Sequence, residues 1–428
     1  MRLTDMRLVG WLVRRRASGP EMRRPARMMP MWASLGGTFV TAVAVAGGAL
    51  WVGLDLLDVH GVRRERQISS SVLFDLVKLS FAVVAGLGGL VALVVAYRKQ
   101  RTEENAALRE NTKLHSDRFT SAVAQLGDSS PAIQLGGVHA LAGLADDAPT
   151  RQLRQTCIDV LCAYLRLPYD PEPSHHPGDG QDPAELARAR TVYRALREVR
   201  HTIIRIIGNH LRDDATVVSW QGHDFDFTDV VFDGGDLSQA VFTGGTVSFR
   251  KARFVDGTID LNYARFASDV VNFGGARFEG GRINFLGAAF TGGAVIFSHA
   301  RFEGGTVTFG SAYFEGGMAT FRLAEFRGGK VDFGRARFEG GKVDFGRARF
   351  EGGKVDFGSA KFKGGTVDFG SALFMGGKVD FGSAEFRGGT VHFERARFEG
   401  GAVNFARAMG QRPMGLPDGI GEQLDRSG

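Results

Sequence analysis

Apolar residues recur at fixed intervals from Asp226 to Ala408, and the interval changes once. Over 226–245 the beat is five residues, with Phe227, Phe232, Leu237 and Phe242 at equivalent places. From Val247 it is twelve. Val247, Ile259, Val271 and their successors to Val403 open each unit, with Ala at 319. Phe follows two residues later (Leu at 261), and Phe recurs at the seventh. The formula is V-x-F-x-x-A-x-F-x-G-G-x, repeated fourteen times, the last copy cut short after Ala408. Repetition this regular predicts a solenoid. In "KVDF" apolar and polar residues alternate, the mark of a strand with one wet face. The Gly pair marks a corner that needs positive φ. Val331, Phe333, Phe338, Val343, Phe345, Phe350, Val355 and Phe357 are predicted to form the core. A twelve-residue coil would be a narrow tube crowded by two Phe. Twenty-four residues per coil leave room for four, which gives about seven coils and roughly 34 Å of length at strand spacing.

Upstream the pattern is different. Met31–Leu54 and Leu79–Tyr97 are uncharged apolar runs, each about as long as a bilayer span of ~20 residues. Trp32, Trp51 and Tyr97 lie near their ends, where aromatic belts form. The first run is longer than a signal-peptide core and is soon followed by the second, which favours an anchor. Residues 1–30 hold eight Arg against Asp5 and Glu21, and Arg98, Lys99 and Arg101 close the second run. The positive-inside rule keeps both ends in the cytosol, although the connecting loop, 55–78, also carries basic residues. Arg98–Leu126 reads as a helix. "AIQLGGVHALAGLA", "RQLRQTCIDVLCAYLRL" and residues 184–212 read as amphipathic helices, with a Pro- and Gly-rich linker at 168–183. The predicted order is a basic cytosolic segment (1–30), a two-span hairpin (31–97), a helical juxtamembrane domain (98–219), a β-solenoid (220–408) and a flexible tail (409–428).

"DLSQAVFTGG" and "VDFGRARFEGG" resemble the pentapeptide-repeat family, whose units read roughly A-(D/N)-(L/F)-x-x. Phe replaces the commoner central Leu, and two residues are added after each pair of pentads. "DRFTSAVAQLG", "VLCAYLR", "REVRHTIIRIIGNHLR" and "WQGHDFDFTDVVFDGGDL" look like the helical part and the solenoid start of membrane-anchored bacterial members. The resemblance implies a right-handed, four-sided parallel β-helix. It also implies a protein of the bacterial cytoplasmic membrane, multi-pass, with both termini cytosolic. It brings no catalytic motif.

Composition and charge sharpen the functional question. The 60 Gly and 34 Phe belong mostly to the repeat, which argues against disorder, since disordered chains are poor in aromatics. Cys157 and Cys162 lack metal-ligand spacing and read as buried thiols. His175 and His176 stand in a solvated linker with no further ligand arranged nearby. "ARFEGGKV" approaches a phosphate-binding loop, but Ala336 replaces the first Gly and Val343 the Ser/Thr. The twelve-residue period is wrong for a Ca²⁺-binding β-roll. Asp332, Asp344 and Asp356 recur with the repeat, whereas catalytic sites break local regularity. The expectation is a non-enzymatic protein without cofactor or metal.

Lys and Arg outnumber Asp and Glu over 247–408, and the chain carries a net charge of +6. Lys330, Lys342, Lys354, Lys361, Lys363, Lys378, Arg335 and Arg347 are the candidate binding face for an acidic partner; the alternative for the same residues is a solvated surface. The leading expectation is a membrane-tethered scaffold for an unidentified protein, since solenoids offer long rigid faces. The resemblance also raises mimicry of duplex DNA toward type II topoisomerases, which the basic rod disfavours; nucleic acid is not expected as a partner either. A third reading is end-to-end assembly, with a homodimer through the C-terminal end, because an uncapped β-helix end leaves strand edges unpaired.

Overall fold

The computed structural model describes residues 69–170, 172–173, 182–212, 218–267, 270–411 and 413–416, with scattered positions between 36 and 55. The chain divides into two compact units, residues 1–111 and 112–428. Most of the predicted first span, Met31–Leu54, lies outside the described residues.

Helix α1 runs Ser70–Leu126. It joins the predicted second span and the predicted helix after it into one element. It also corrects the 55–78 loop, because residues 70–78 are already helical. Nothing in "SSVLFDLVK" interrupts the apolar run that follows: there is no Pro, and the first Gly comes at 86. By length and composition α1 can cross a membrane, with a mean hydropathy of 2.5 over its most apolar stretch. Its Phe81, Val84 and Leu93 side chains are exposed.

Among the described residues the second unit holds three more helices: α2 (Pro131–Asp146), α3 (Arg151–Leu165) and α4 (Pro183–Arg212). Pro131 opens α2, where its missing N–H costs nothing. Thr150 caps α3 by accepting the Leu153 amide. Val138, Leu141, Ile158, Leu161, Ile203 and Ile207 bury the shared apolar faces.

Among the described residues thirty-two strands of two or three residues follow, from β1 (Phe225–Asp226) to β32 (Met409–Gly410). They form four parallel sheets of eight, each taking every fourth strand. The registers show the coil length: Phe278 pairs with Phe302, Val331 with Val355 and Phe338 with Phe362, each 24 residues on. The twelve-residue units therefore wind seven coils, as expected, and the solenoid has eight in all. The period-five stretch winds the first of them. That coil is short: Phe232 pairs with Phe254, only 22 residues on, while Asp236 pairs with Asp260. Two residues are missing between Phe232 and Leu237, the place where every later coil inserts a Gly-containing corner.

Four Phe ladders fill the rod. Phe273, Phe297, Phe321, Phe345 and Phe369 stack with centroids 4.7–4.8 Å apart and planes within 10°. Adjacent ladders meet edge-to-face, as at Phe333 and Phe345. All eight predicted core residues are buried. Gly353 shows why the corner needs Gly. Its φ is +71°, and a Cβ there would lie 2.6 Å from the Gly329 carbonyl oxygen of the coil before.

The solenoid extends past the predicted boundary at 408. Met409 and Gly410 pair with Glu385 and Phe386, and Met414 bridges to His392. The predicted flexible tail therefore begins as a continuation of the rod, and residues 417–428 lie outside the described residues.

Candidate binding surface

The outward residues of the rod form ladders set by the 24-residue coil. Because the sequence beat is twelve, successive units fall on opposite walls. Lys330, Lys354 and Lys378 are in register in one sheet. Lys342 belongs to another, beside Thr366 of the next coil. Lys361 lies in a third sheet, with Lys363 just beyond it. Arg335 and Arg347 are exposed on turns twelve residues apart, hence at opposite corners. The eight candidate residues are thus not gathered on one face.

Most of these charges are also paired. Lys330 meets Asp332 at 2.6 Å, Lys354 meets Asp356 at 2.7 Å and Lys378 meets Asp380 at 3.1 Å. Lys342 sits 3.5 Å from both Asp344 and Asp368. Lys361 reaches Glu385 and Lys363 reaches Glu339 in neighbouring coils. Such half-exposed pairs contribute little stability. Their effect is to neutralise the wall locally, leaving a striped rather than a uniformly basic surface.

The repeated carboxylates have a structural use. Asp356 Oδ1 accepts the Gly358 amide at 2.9 Å while Oδ2 accepts from Lys354 Nζ. Asp332, Asp344, Asp368 and Asp380 accept the same i+2 amide. This Asx geometry sets up the turn that follows, in which Ala360 N donates to Phe357 O. The third residue of each such turn is left-handed, and it is usually not Gly: Arg335, Arg347 and Ser359 have φ of 60°, 59° and 57°. Sequence reasoning placed positive φ only at the Gly pairs and missed this second series.

Sequence reasoning also missed a polar junction between the helices and the first coil. Asp233, in the short corner of that coil, is buried. Its Oδ2 accepts from Tyr169 and Tyr193, both at 2.7 Å, and from Arg197 Nε at 3.1 Å. His201 Nε2 lies 2.9 Å from Oδ1. Burial opposes the charge, but the hydrogen bonds from His201, Tyr169 and Tyr193 hold this carboxyl well below the usual range. A second junction centres on Asp146 of α2. It accepts the Trp220 indole N–H at 2.9 Å and faces His210 Nε2 at 3.1 Å, and the His210 ring stacks on Trp220 at 4.2 Å. His201 and His210 are thus both wired to carboxylates. These partners lie 32 to 74 residues apart, beyond any local motif.

Cys157 and Cys162 are buried in α3, and burial pushes their thiols up to about 11 and about 12. They stay protonated and poorly reactive at neutral pH. Among the described residues no three His, Cys, Asp or Glu side chains gather as a metal site would require.

A family model for pentapeptide repeats (9 copies) matches residues 227–277. This stretch covers the whole period-five segment and the first twelve-residue units. No curated protein and no solved structure matches the chain. The sheet register continues unbroken from the matched stretch through the Gly-pair units. The twelve-residue unit is therefore two pentads plus a two-residue corner.

Proposed function

We propose that the protein is a membrane-tethered, non-catalytic solenoid whose rigid wall binds or scaffolds another protein. One observation carries this reading: the four parallel sheets run unbroken through eight coils, and the carboxylates repeated from Asp332 to Asp380 are committed to turns and ion pairs. Such regularity suits an extended contact surface and not a site of chemistry. The length and apolarity of α1 support the tether. The net basic rod opposes the DNA-mimic alternative. The test is co-purification from detergent-solubilised membranes with single-wall variants of the full chain, such as K330E/K354E/K378E, each checked for a wild-type melt. A partner lost with one wall only supports the reading. An identical set of partners from every wall variant overturns it.

A second reading, end-to-end assembly by a second copy, is favoured by the C-terminal end of the rod. Phe398 and Val403 are only half-buried there, whereas Phe374 and Val379 one coil back are 2% exposed. Met409 and Met414 are each 50% exposed. Sedimentation of the full chain should then show a dimer that M409E/M414E converts to monomer.

A further inference from the structure

The helical domain contains an open pocket of about 430 Å³ between the end of α1 and helices α2, α3 and α4. Its walls are mainly apolar, with Val123, Leu126, Val160 and Leu196 among them. The volume falls within the roughly 300–1,000 Å³ usual for small-ligand sites. Arg200 also lines it, and Arg200 is only 4% exposed. Its Nη1 donates to Leu165 O at 2.8 Å and its Nη2 to Val231 O at 2.7 Å. The guanidinium lies over the Tyr169 ring, 4.2 Å from the centroid.

Among the described residues Arg200 has no carboxylate within ion-pair distance. Asp233 acts on it at longer range, but the oxygens of Asp233 are taken by Tyr169, Tyr193, Arg197 and His201. Two carbonyls satisfy two of the five N–H groups, and no carboxylate pairs with the charge directly. A buried cation is ordinarily paired. The other polar groups at the pocket bond each other: Tyr164 OH donates to Gln134 Oε1, and Gln134 Nε2 to Asp128 O. The pocket thus offers apolar walls and one buried cation without a direct ion-pair partner.

We propose that this pocket binds a single-chain carboxylate amphiphile, a fatty acid, with its head at the Arg200 guanidinium and its alkyl chain along Val123, Leu126, Val160 and Leu196. A small anion would leave the apolar walls wet, and a neutral hydrocarbon would leave Arg200 without its anion. The inference is independent of what the rod binds.

The test uses the full chain in lipid nanodiscs and a medium-chain carboxylate bearing a photoreactive diazirine, with its methyl ester as control. After irradiation, adducts are mapped by peptide mass spectrometry. The acid should label the segments around Val123–Leu126 and Val160–Leu167 about tenfold more than the ester, as expected for a charge-assisted contact of ~1.4 kcal/mol. Ala163→Trp, which fills the pocket without touching Arg200, should abolish this labelling. Leu167→Trp at the exposed rim serves the same purpose should Ala163→Trp fail to fold. Equal labelling by acid and ester removes the role of Arg200. Labelling unchanged by either Trp, or confined to the apolar part of α1, means simple bilayer partition. Each of these outcomes overturns the proposal.

Discussion

Ile204 of α4 occupies the space that a side chain at Gly235 would need: a Cβ built on Gly235 would lie 2.8 Å from Ile204 Cγ2. Gly235 is the position in the first coil that pairs with Ile259 in the second. The inward apolar side chain of every later coil is thus replaced, at the start of the rod, by one from the helical cap. One turn along α4, Gly208 lets the backbones meet, since its Cβ would lie 2.5 Å from Asp236 O. The cap therefore closes the first coil by direct packing, which answers the edge problem at that end.

This contact predicts a coupled pair. Gly235→Ala should destabilise the second unit by about 1–3 kcal/mol through overpacking. Ile204→Ala should cost about 2–4 kcal/mol as a buried truncation. Combined, they should cost clearly less than their sum, because the new methyl enters the space Ile204 vacates. Denaturant unfolding followed by Trp fluorescence gives all three values. Strict additivity would show that the two positions do not share that space.

The Phe ladders predict a gradient along the rod. Phe345 is fully buried between Phe321 and Phe369, so Phe345→Ala should cost about 3–5 kcal/mol. Phe398 stacks on Phe374 alone and is half-buried, so Phe398→Ala should cost less than half as much. Equal losses would mean that the last coil is covered as well as the middle ones.

Much of this architecture was legible because the signal is local and repeated. Val331, Phe333 and Phe338 announce strand, inward face and period within eight residues. The coil length followed from the volume of four Phe rings. The first coil stood outside the count because only the twelve-residue units were paired into coils, and its corner at Asp233–Gly235 lacks two residues that the equivalent corner of every later coil has. The lysines were grouped by proximity in sequence, but a twelve-residue beat on a 24-residue coil sends Lys342 and Lys354 to different walls. Asp233 and Asp146 gave no sign of their roles, since Tyr169, Tyr193 and Trp220 reach them only after the helices dock on the rod.

The two glycine environments separate conformational cost from steric cost. Gly316 has φ +66° with nothing within 4 Å of a built Cβ, so Gly316→Ala should cost about 1–2 kcal/mol for the left-handed conformation alone. Gly353 adds a carbonyl at 2.6 Å, so Gly353→Ala should cost distinctly more. Comparable melting temperatures for the two variants would mean that the corner relaxes freely between coils.

Acid should weaken the cap in two separate windows. His223 is 5% exposed, and its Nδ1–H donates to Gln155 Oε1 at 3.1 Å. Burial, with Arg151 and Arg154 nearby, pulls this imidazole down to about 4 from 6.5. Between those values the unfolded chain binds a proton that the folded one refuses. The stability linked to His223 is therefore complete above about pH 6.5, falls as the pH drops toward 4, and the loss reaches ~3 kcal/mol. Asp233 acts lower. Its carboxyl is depressed in the folded state, so its contribution is intact above the usual carboxylate range and drains away below it. Difference melts across pH against wild type should show that His223→Gln flattens the slope between pH 6.5 and 4 and that Asp233→Asn flattens it only below about pH 4. If His223→Gln leaves the upper slope unchanged, the neutral, buried state assigned to His223 is wrong.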